Sequence, residues 1–298
     1  MKQVIITKSL FKEFCENPKL ARWHKNDYVI YNKINQELYG AMNGALMGQE
    51  VENMVKKLRK TKDISVVAGY NPKWNFHKEY SDATQKTLSF DPKIVYQAGF
   101  VWDNLFIKCD FLKLNEHWKY DLIEVKAKNS IHKSSKNQSL LDDLITDCSF
   151  QKYVLQKTLW DKFSGNVWIY HLNKEYLRQW DIAPNEIIAK ENVTEELFTN
   201  DWVEKQIDLI NNSICLSKQD FEQKFPYQWE NPLIYFWESP KNWTIWNIPY
   251  FKTAKKKLLS LYKIWKTNII DLGKNELKLI SSKDELENSF QKYITMFQ

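Results

Sequence analysis

Glycine and proline are scarce in this chain, 7 and 8 in 298 residues, which excludes collagen-like repeats, glycine-loop-rich folds and a linker-dominated architecture. No run approaches the ~18 apolar residues that a membrane-spanning helix needs. The opening MKQVIITKSLFKEF meets charge too early to hold the apolar region of a secretion signal. Cysteine is sparse as well. Cys15, Cys109, Cys148 and Cys215 lie far apart with no Cys-x-x-Cys spacing, so a disulfide framework, a zinc knuckle and a four-cysteine iron–sulfur site have no support. A reducing cytoplasm is the expected home, with no membrane partner. The histidines (His24, His77, His117, His132 and His171) show neither HxH nor HExxH spacing. Charge of one sign does not dominate either: 43 Lys and Arg face 37 Asp and Glu, a net +6 that is compatible with a polyanionic partner without requiring one.

What is present is an ordinary globular balance, 43% hydrophobic and 27% charged, with length enough for one large domain or two modest ones. A helix is predicted from Thr7 to Arg22, with Ser9 as its cap and Asn17-Pro18 interrupting or restarting it. A longer helix follows over Ile34–Lys60, then a strand near Ile64–Ala68 and a polar loop through Pro72 and His77. Lys93–Trp102, Leu105–Leu112 and Tyr120–Lys128 read as strands separated by short polar turns. Leu140–Phe163 reads as a helix and Asn166–Leu172 as another strand. That order indicates a mixed α/β domain. Further on, Thr194 is a candidate cap for a helix through Trp202, Ile207 and Ile210. An aromatic stretch follows at Phe225–Tyr250, then a basic helix at Thr253–Lys266.

Period-two geometry carries the central reading. In Tyr120–Ala127, residues Ile123, Val125 and Ala127 share one strand face, while Glu124 and Lys126 share the other. In the preceding strand Leu105, Ile107, Cys109 and Phe111 form an apolar face, with Asp110 opposite. Two adjacent strands thus bring Asp110, Glu124 and Lys126 to one surface of a sheet whose other face is core. The two carboxylates and the intervening carbonyl of Val125 are hard oxygen ligands suited to Mg²⁺ or Mn²⁺. Such an ion lowers the pKa of a bound water and neutralises charge developing on a phosphodiester. The lysine, two residues on, can position that water or stabilise the transition state. Glu-x-Lys also arises with no chemistry at all, because alternation puts charges on the wet face of a half-exposed strand.

The spacing Asp-x13-Glu-x-Lys is the arrangement of PD-(D/E)XK nucleases, and its surroundings resemble that family's RecB-like branch. The resemblance is carried by Tyr96–Phe100, Ile107–Leu112, Asp121–Lys126 and Asp147–Leu155. Upstream it includes Lys8-Ser9 with Phe14 and Asn17–Ala21, and Gly48–Glu52. It is nearest to uncharacterised bacterial relatives of the CRISPR adaptation exonucleases. The resemblance implies a restriction-endonuclease-like core, a mixed central sheet flanked by helices, in residues 1–175, and a mainly helical, aromatic extension in residues 176–298. It implies a Mg²⁺- or Mn²⁺-dependent deoxyribonuclease, an exonuclease acting on DNA, with Asp110 and Glu124 as metal carboxylates and Lys126 as catalytic lysine. Gln151 joins them from the following helix. Asp147 lies four residues before it on the same face, whereas Tyr153 is turned away by ~200°. Glu52 stands where many relatives carry a metal-binding histidine; it is otherwise a solvated helix residue. Asn17 occupies the position of a cluster cysteine, and aromatics including Trp229, Tyr235 and Trp237 occupy the C-terminal counterpart, so no iron–sulfur cluster is expected. Those aromatics pack as core or stack on bases. Lys133, Lys136 and Lys255–Lys257 are phosphate contacts or solvated lysines. The rival reading is a nuclease-fold protein that has lost some of its chemistry and acts as a nucleic-acid-binding or assembly module. A third is a protein-interaction module rich in aromatics.

Overall fold

The chain enters through a two-residue strand, β1 (Ile6–Thr7), and turns at once into helix α1 (Lys8–Glu16). Its computed structural model describes residues 4–26, 42–57, 64–66, 77–128, 130–133, 139–176 and 184–225. The expected helix over 34–41 and 58–60, the loop through Pro72, Lys136, the aromatic stretch past Phe225 and the helix Thr253–Lys266 lie outside the described residues. Thr7, two positions before the expected Ser9, caps α1: its hydroxyl accepts from the Leu10 amide at 3.2 Å. Asn17 leaves the helix on extended backbone, and its Oδ1 accepts from the amides of Lys19 and Leu20 at 3.1 and 3.2 Å. Pro18 then opens α2 (Pro18–Asn26), where its missing N–H costs nothing. Interruption and restart are one device.

Helix α3 (Met42–Lys57) and strand β2 (Ile64–Val66) follow as expected over the described residues. Of the polar loop expected through Pro72 and His77, His77 is described, and it opens a helix not expected from the sequence, α4 (His77–Leu88). Its buried face is Tyr80, Ser81, Thr84 and Leu88, too polar to register as an apolar stripe. The reason lies in strand β3 (Ile94–Trp102), which the described residues of β2 pair at Ile94, Val95 and Tyr96. Beyond Tyr96 its outer edge faces α4. There Thr84 Oγ1 accepts from the Gly99 amide at 3.0 Å, Ser81 Oγ accepts from the Val101 amide at 3.3 Å, and the Tyr80 hydroxyl donates to the Gln97 carbonyl. Hydroxyls thus satisfy backbone groups along the outer edge of β3. The approach is close: a Cβ on Gly99 would stand 2.0 Å from Tyr80 Cδ1.

Strands β4 (Leu105–Leu114) and β5 (Tyr120–Lys126) continue antiparallel from β3. Helix α5 (Asp142–Leu159) then crosses back to β6 (Phe163–Leu172), parallel to β5. After a short helix, α6 (Pro184–Ile187), strand β7 (Ile188–Asn192) closes the far edge antiparallel to β6. The sheet order is β2-β3-β4-β5-β6-β7, with β1 parallel to β4 beside that path. This is an α/β fold with a mixed sheet flanked by helices. Thr194 opens only a 3-10 turn, its hydroxyl being taken by the Val167 amide at 2.9 Å. Helix α7 (Asn200–Asn211) begins later, under a cap from Thr199, and α8 (Lys218–Lys224) follows.

One sheet face carries α1, α4, α5 and α7. Phe11 stacks on Phe150 with ring centroids 4.3 Å apart, and Trp202 meets Phe11 edge-on. Each such buried aromatic contributes about 2–3 kcal/mol. Val203, Ile207, Ile210 and Phe221 enter the same cluster, so the described part of residues 176–298 wraps onto this core. The other face carries α3, whose Val51 and Val55 cover Phe111, Ile123, Val125 and Tyr170. No helix among the described residues is long and apolar enough to cross a membrane.

Candidate active site

Pairing of β4 with β5 runs from Leu114 opposite Tyr120 to Phe111 opposite Ile123, and there it stops. The next register position sets Asp110 against Glu124, and opposed residues of an antiparallel pair share a face. In place of a continued ladder, Asp110 Oδ2 accepts from the Val125 amide at 2.8 Å. Further back on β4, that same edge is taken by β1 at Leu105 and Phe106. The opening between strands is therefore lined by a carboxylate.

Simple alternation describes this region only in part. Ile107 and Cys109 face the α5 side, whereas Phe111 faces α3. Across from Asp110, Gln97 holds a left-handed φ of 55°, and the β3–β4 pairing skips this one position between Tyr96–Phe111 and Ala98–Cys109. The break lets both Cys109 and Leu112 pack toward α5 and turns Phe111 away from the apolar face expected for it. On β5 the alternation holds: Ile123 and Val125 face α3, with Ala127 packed against them. The face of Glu124 and Lys126 is not wet, however. Every residue of β5 except Lys126 is buried, because α1 and α5 cover it.

Under that cover the polar groups converge. Glu124, 1% exposed, accepts at Oε1 from Lys126 at 2.6 Å and from Lys8 at 3.0 Å, and at Oε2 from Gln151 Nε2 at 2.9 Å. Asp147 accepts at Oδ2 from Lys126 at 2.8 Å and at Oδ1 from Gln151 at 3.0 Å, with Lys8 3.6 Å from Oδ1. Burial alone would push Glu124 and Asp147 up, but Lys126 and Lys8 outweigh it and hold both carboxyls below their ordinary values. For Lys8 and Lys126 burial favours the neutral amine; Asp147 and Glu124 overcome it and raise both. Three carboxylates against two ammonium groups leave one negative charge in excess. Asp110 carries it: burial first, then Glu124, push its carboxyl up to about 7.

The predicted residues Asp110, Glu124, Lys126 and Gln151 thus come together, and the amide of Val125 is engaged by Asp110. Glu52 is placed differently. Its helix, α3, packs on the opposite sheet face, and its Oε2 accepts from the Tyr96 hydroxyl at 2.8 Å and from Gln97 Nε2 at 3.2 Å. Tyr153 is turned away from Gln151, donating to Glu204 at 2.9 Å. Lys133 is paired with Asp142 at 2.8 Å. Two members of the cluster were not among the predicted site residues. Asp147 was legible as the residue one helical turn from Gln151. Lys8 carries no local signal, since its partner Glu124 is 116 positions away. Histidines that show no spacing in sequence also meet here: His132 and His171 share the carboxylate of Glu191 at 2.8 and 2.7 Å, and His171 lies in register with Lys126.

Among the described residues no three His, Cys, Asp or Glu side chains are grouped to hold a metal ion. A divalent ion would rest on Asp110 and Glu124 with backbone oxygen and water, a donor set that suits Mg²⁺. Two observations fit such an ion. The surplus negative charge at Asp110 is what a cation relieves, and Gln151 Oε1, buried beside Glu124, has no hydrogen-bond partner among the described residues. Compared with protein-family models, curated proteins and solved structures, the chain matches none.

Proposed function

We propose that the chain is a divalent-metal-dependent nuclease of the PD-(D/E)XK type, hydrolysing DNA phosphodiesters from ends, with a restriction-endonuclease-like core. The observation that carries the reading is the opposition of Asp110 and Glu124 where the β4–β5 ladder opens, with Lys126 on the same face. Bound there, Mg²⁺ or Mn²⁺ supplies a water of lowered pKa and charge neutralisation at the phosphate. Lys126, tethered by Glu124 and Asp147 and 21% exposed, offers an ammonium to the charge that develops on phosphate oxygens. Gln151 and Asp147 act through it, fixing Glu124 and Lys126 in one rotamer each. Covering helices α1 and α5 exclude water from the carboxylates, which strengthens each of these interactions.

The test is degradation of end-labelled single- and double-stranded DNA in Mn²⁺. The wild type degrades at least one substrate, and Glu124→Ala and Lys126→Ala lose about a hundredfold or more. Variants that keep the wild-type rate refute the assignment. A second reading, a nucleic-acid-binding or assembly module without catalysis, draws on the two lysines closing over Glu124. It predicts a DNA gel shift under chelation and equal, weak Mn²⁺ binding by wild type and Asp110→Ala.

A further inference from the structure

Two lysines reach Glu124, and the chemistry proposed above uses one. Lys8 is the first residue of α1 and is anchored on both sides. Strand β1 is paired to β4, Thr7 caps the helix, and Phe11 one turn later is stacked on Phe150. From there its ammonium lies 3.0 Å from Glu124 Oε1 and 3.6 Å from Asp147 Oδ1. Lys126 lies 2.6 Å from the same Glu124 oxygen and 2.8 Å from Asp147 Oδ2. The four groups make a closed ring of alternating sign with no net charge. Asp110 stands outside it, bonded to the Val125 amide. A cation approaching Glu124 therefore finds Oε1 already holding two ammonium groups and Oε2 holding the amide of Gln151. Among the described residues, the Asp110 carboxylate accepts from the Val125 amide alone.

We infer that Lys8 is a built-in cation of this site, standing where a second metal ion would stand at Glu124 and limiting the site to one divalent ion. The inference rests on the metal-dependent reading and deepens it. Phosphodiester cleavage builds negative charge on the attacking and leaving oxygens, and many sites meet this with two metal ions a few ångströms apart. Here one positive charge is attached covalently to the N-terminal helix. An ammonium does not replace a metal in activating water, but it neutralises charge and donates hydrogen bonds. Lys8 is thus a positioning and charge-balancing residue. Its side chain is 26% exposed, so the ammonium stays within reach of solvent and substrate.

The test is calorimetric titration of the metal-free protein with Mn²⁺, comparing wild type with Lys8→Met, Lys8→Arg and Lys12→Met. Circular dichroism and thermal melts report whether each variant folds. Lys12 lies on the same helix but pairs with Asp143 at 3.8 Å, outside the ring. Wild type, Lys8→Arg and Lys12→Met bind one ion alike. Lys8→Met binds a second ion, or the first about tenfold or more tightly, the effect of removing a unit charge close to a divalent ion even at the dielectric of water. If wild type binds one ion and folded Lys8→Met is unchanged, the inference falls and the metal-dependent reading stands. If wild type binds none but Lys8→Met binds one, Lys8 shuts out the metal altogether, and the one-ion limit falls together with the metal-dependent nuclease reading. Binding by neither sinks both. Should Lys8→Met fail to fold, Lys8→Gln takes its place, and the same outcomes decide.

Discussion

Asp110 should be a stability liability that the fold tolerates, and Asp110→Asn exposes it. The substitution is nearly isosteric, and the amide oxygen of Asn can still accept the Val125 N–H that Asp110 Oδ2 accepts at 2.8 Å. What it removes is the charge. Burial and Glu124 raise the Asp110 carboxyl from 3.8 to about 7, which corresponds to a ceiling of about 4 kcal/mol. Below about pH 4 the group is protonated in folded and unfolded chains alike, and it costs nothing. Between about pH 4 and 7 the unfolded chain releases the proton while the folded chain keeps it, so stability falls as pH rises; above that the loss is complete. Urea unfolding at about pH 8 should therefore find Asp110→Asn more stable than wild type by about 2–4 kcal/mol, with the gap closing toward about pH 4. Saturating Mn²⁺ should stabilise wild type, by about 2.7 kcal/mol at a hundred times the dissociation constant, and leave Asp110→Asn unmoved. Equal stability of the two proteins at the alkaline pH would refute the reasoning, because it would mean that no surplus charge is stored at the strand opening.

Two further outcomes follow from the geometry. Gly99→Ala places a methyl 2.0 Å from Tyr80 Cδ1 and should destabilise the protein by about 1–3 kcal/mol in urea unfolding, with Tyr80→Leu restoring part of the loss; a change near zero would show that α4 does not approach the strand as closely as described. Glu52→Gln should change Mn²⁺ affinity by less than about threefold, since its carboxylate is held by Tyr96 and Gln97, and a loss of about tenfold or more would place it in the metal's ligand shell.

The hairpins β3–β4–β5 were legible because short polar turns separate strongly apolar strands, and Asp110 and Glu124 were legible because a hairpin fixes register locally. The same local rule failed one strand away. Gln97 with positive φ breaks the alternation, and nothing in a glutamine announces that backbone state. Helix α4 was illegible for a different reason. Periodicity detects faces that bury carbon, and Tyr80, Ser81 and Thr84 are buried in order to hydrogen-bond a strand edge. The burial of Glu124 is not legible in its own strand because the cover comes from other elements, α1 through Lys8 and α5 through Gln151. Lys8 escaped on the same ground. The long-range part of the site is tertiary, and only its β-hairpin half is written in neighbouring residues.

The seam of hydroxyls along β3 has a consequence beyond closing an edge. Apolar surfaces tolerate slippage, but directed bonds from Tyr80, Ser81 and Thr84 to Gln97, Val101 and Gly99 match only one alignment. The seam therefore acts as a ratchet stop for the strand. By fixing the register of β3 it fixes β4, which is paired to it on either side of Asp110, at Phe111 and Cys109. A helix that touches no reacting group thus determines how far the acidic strand can slide, and loosening it would blur the centre while leaving every residue there intact.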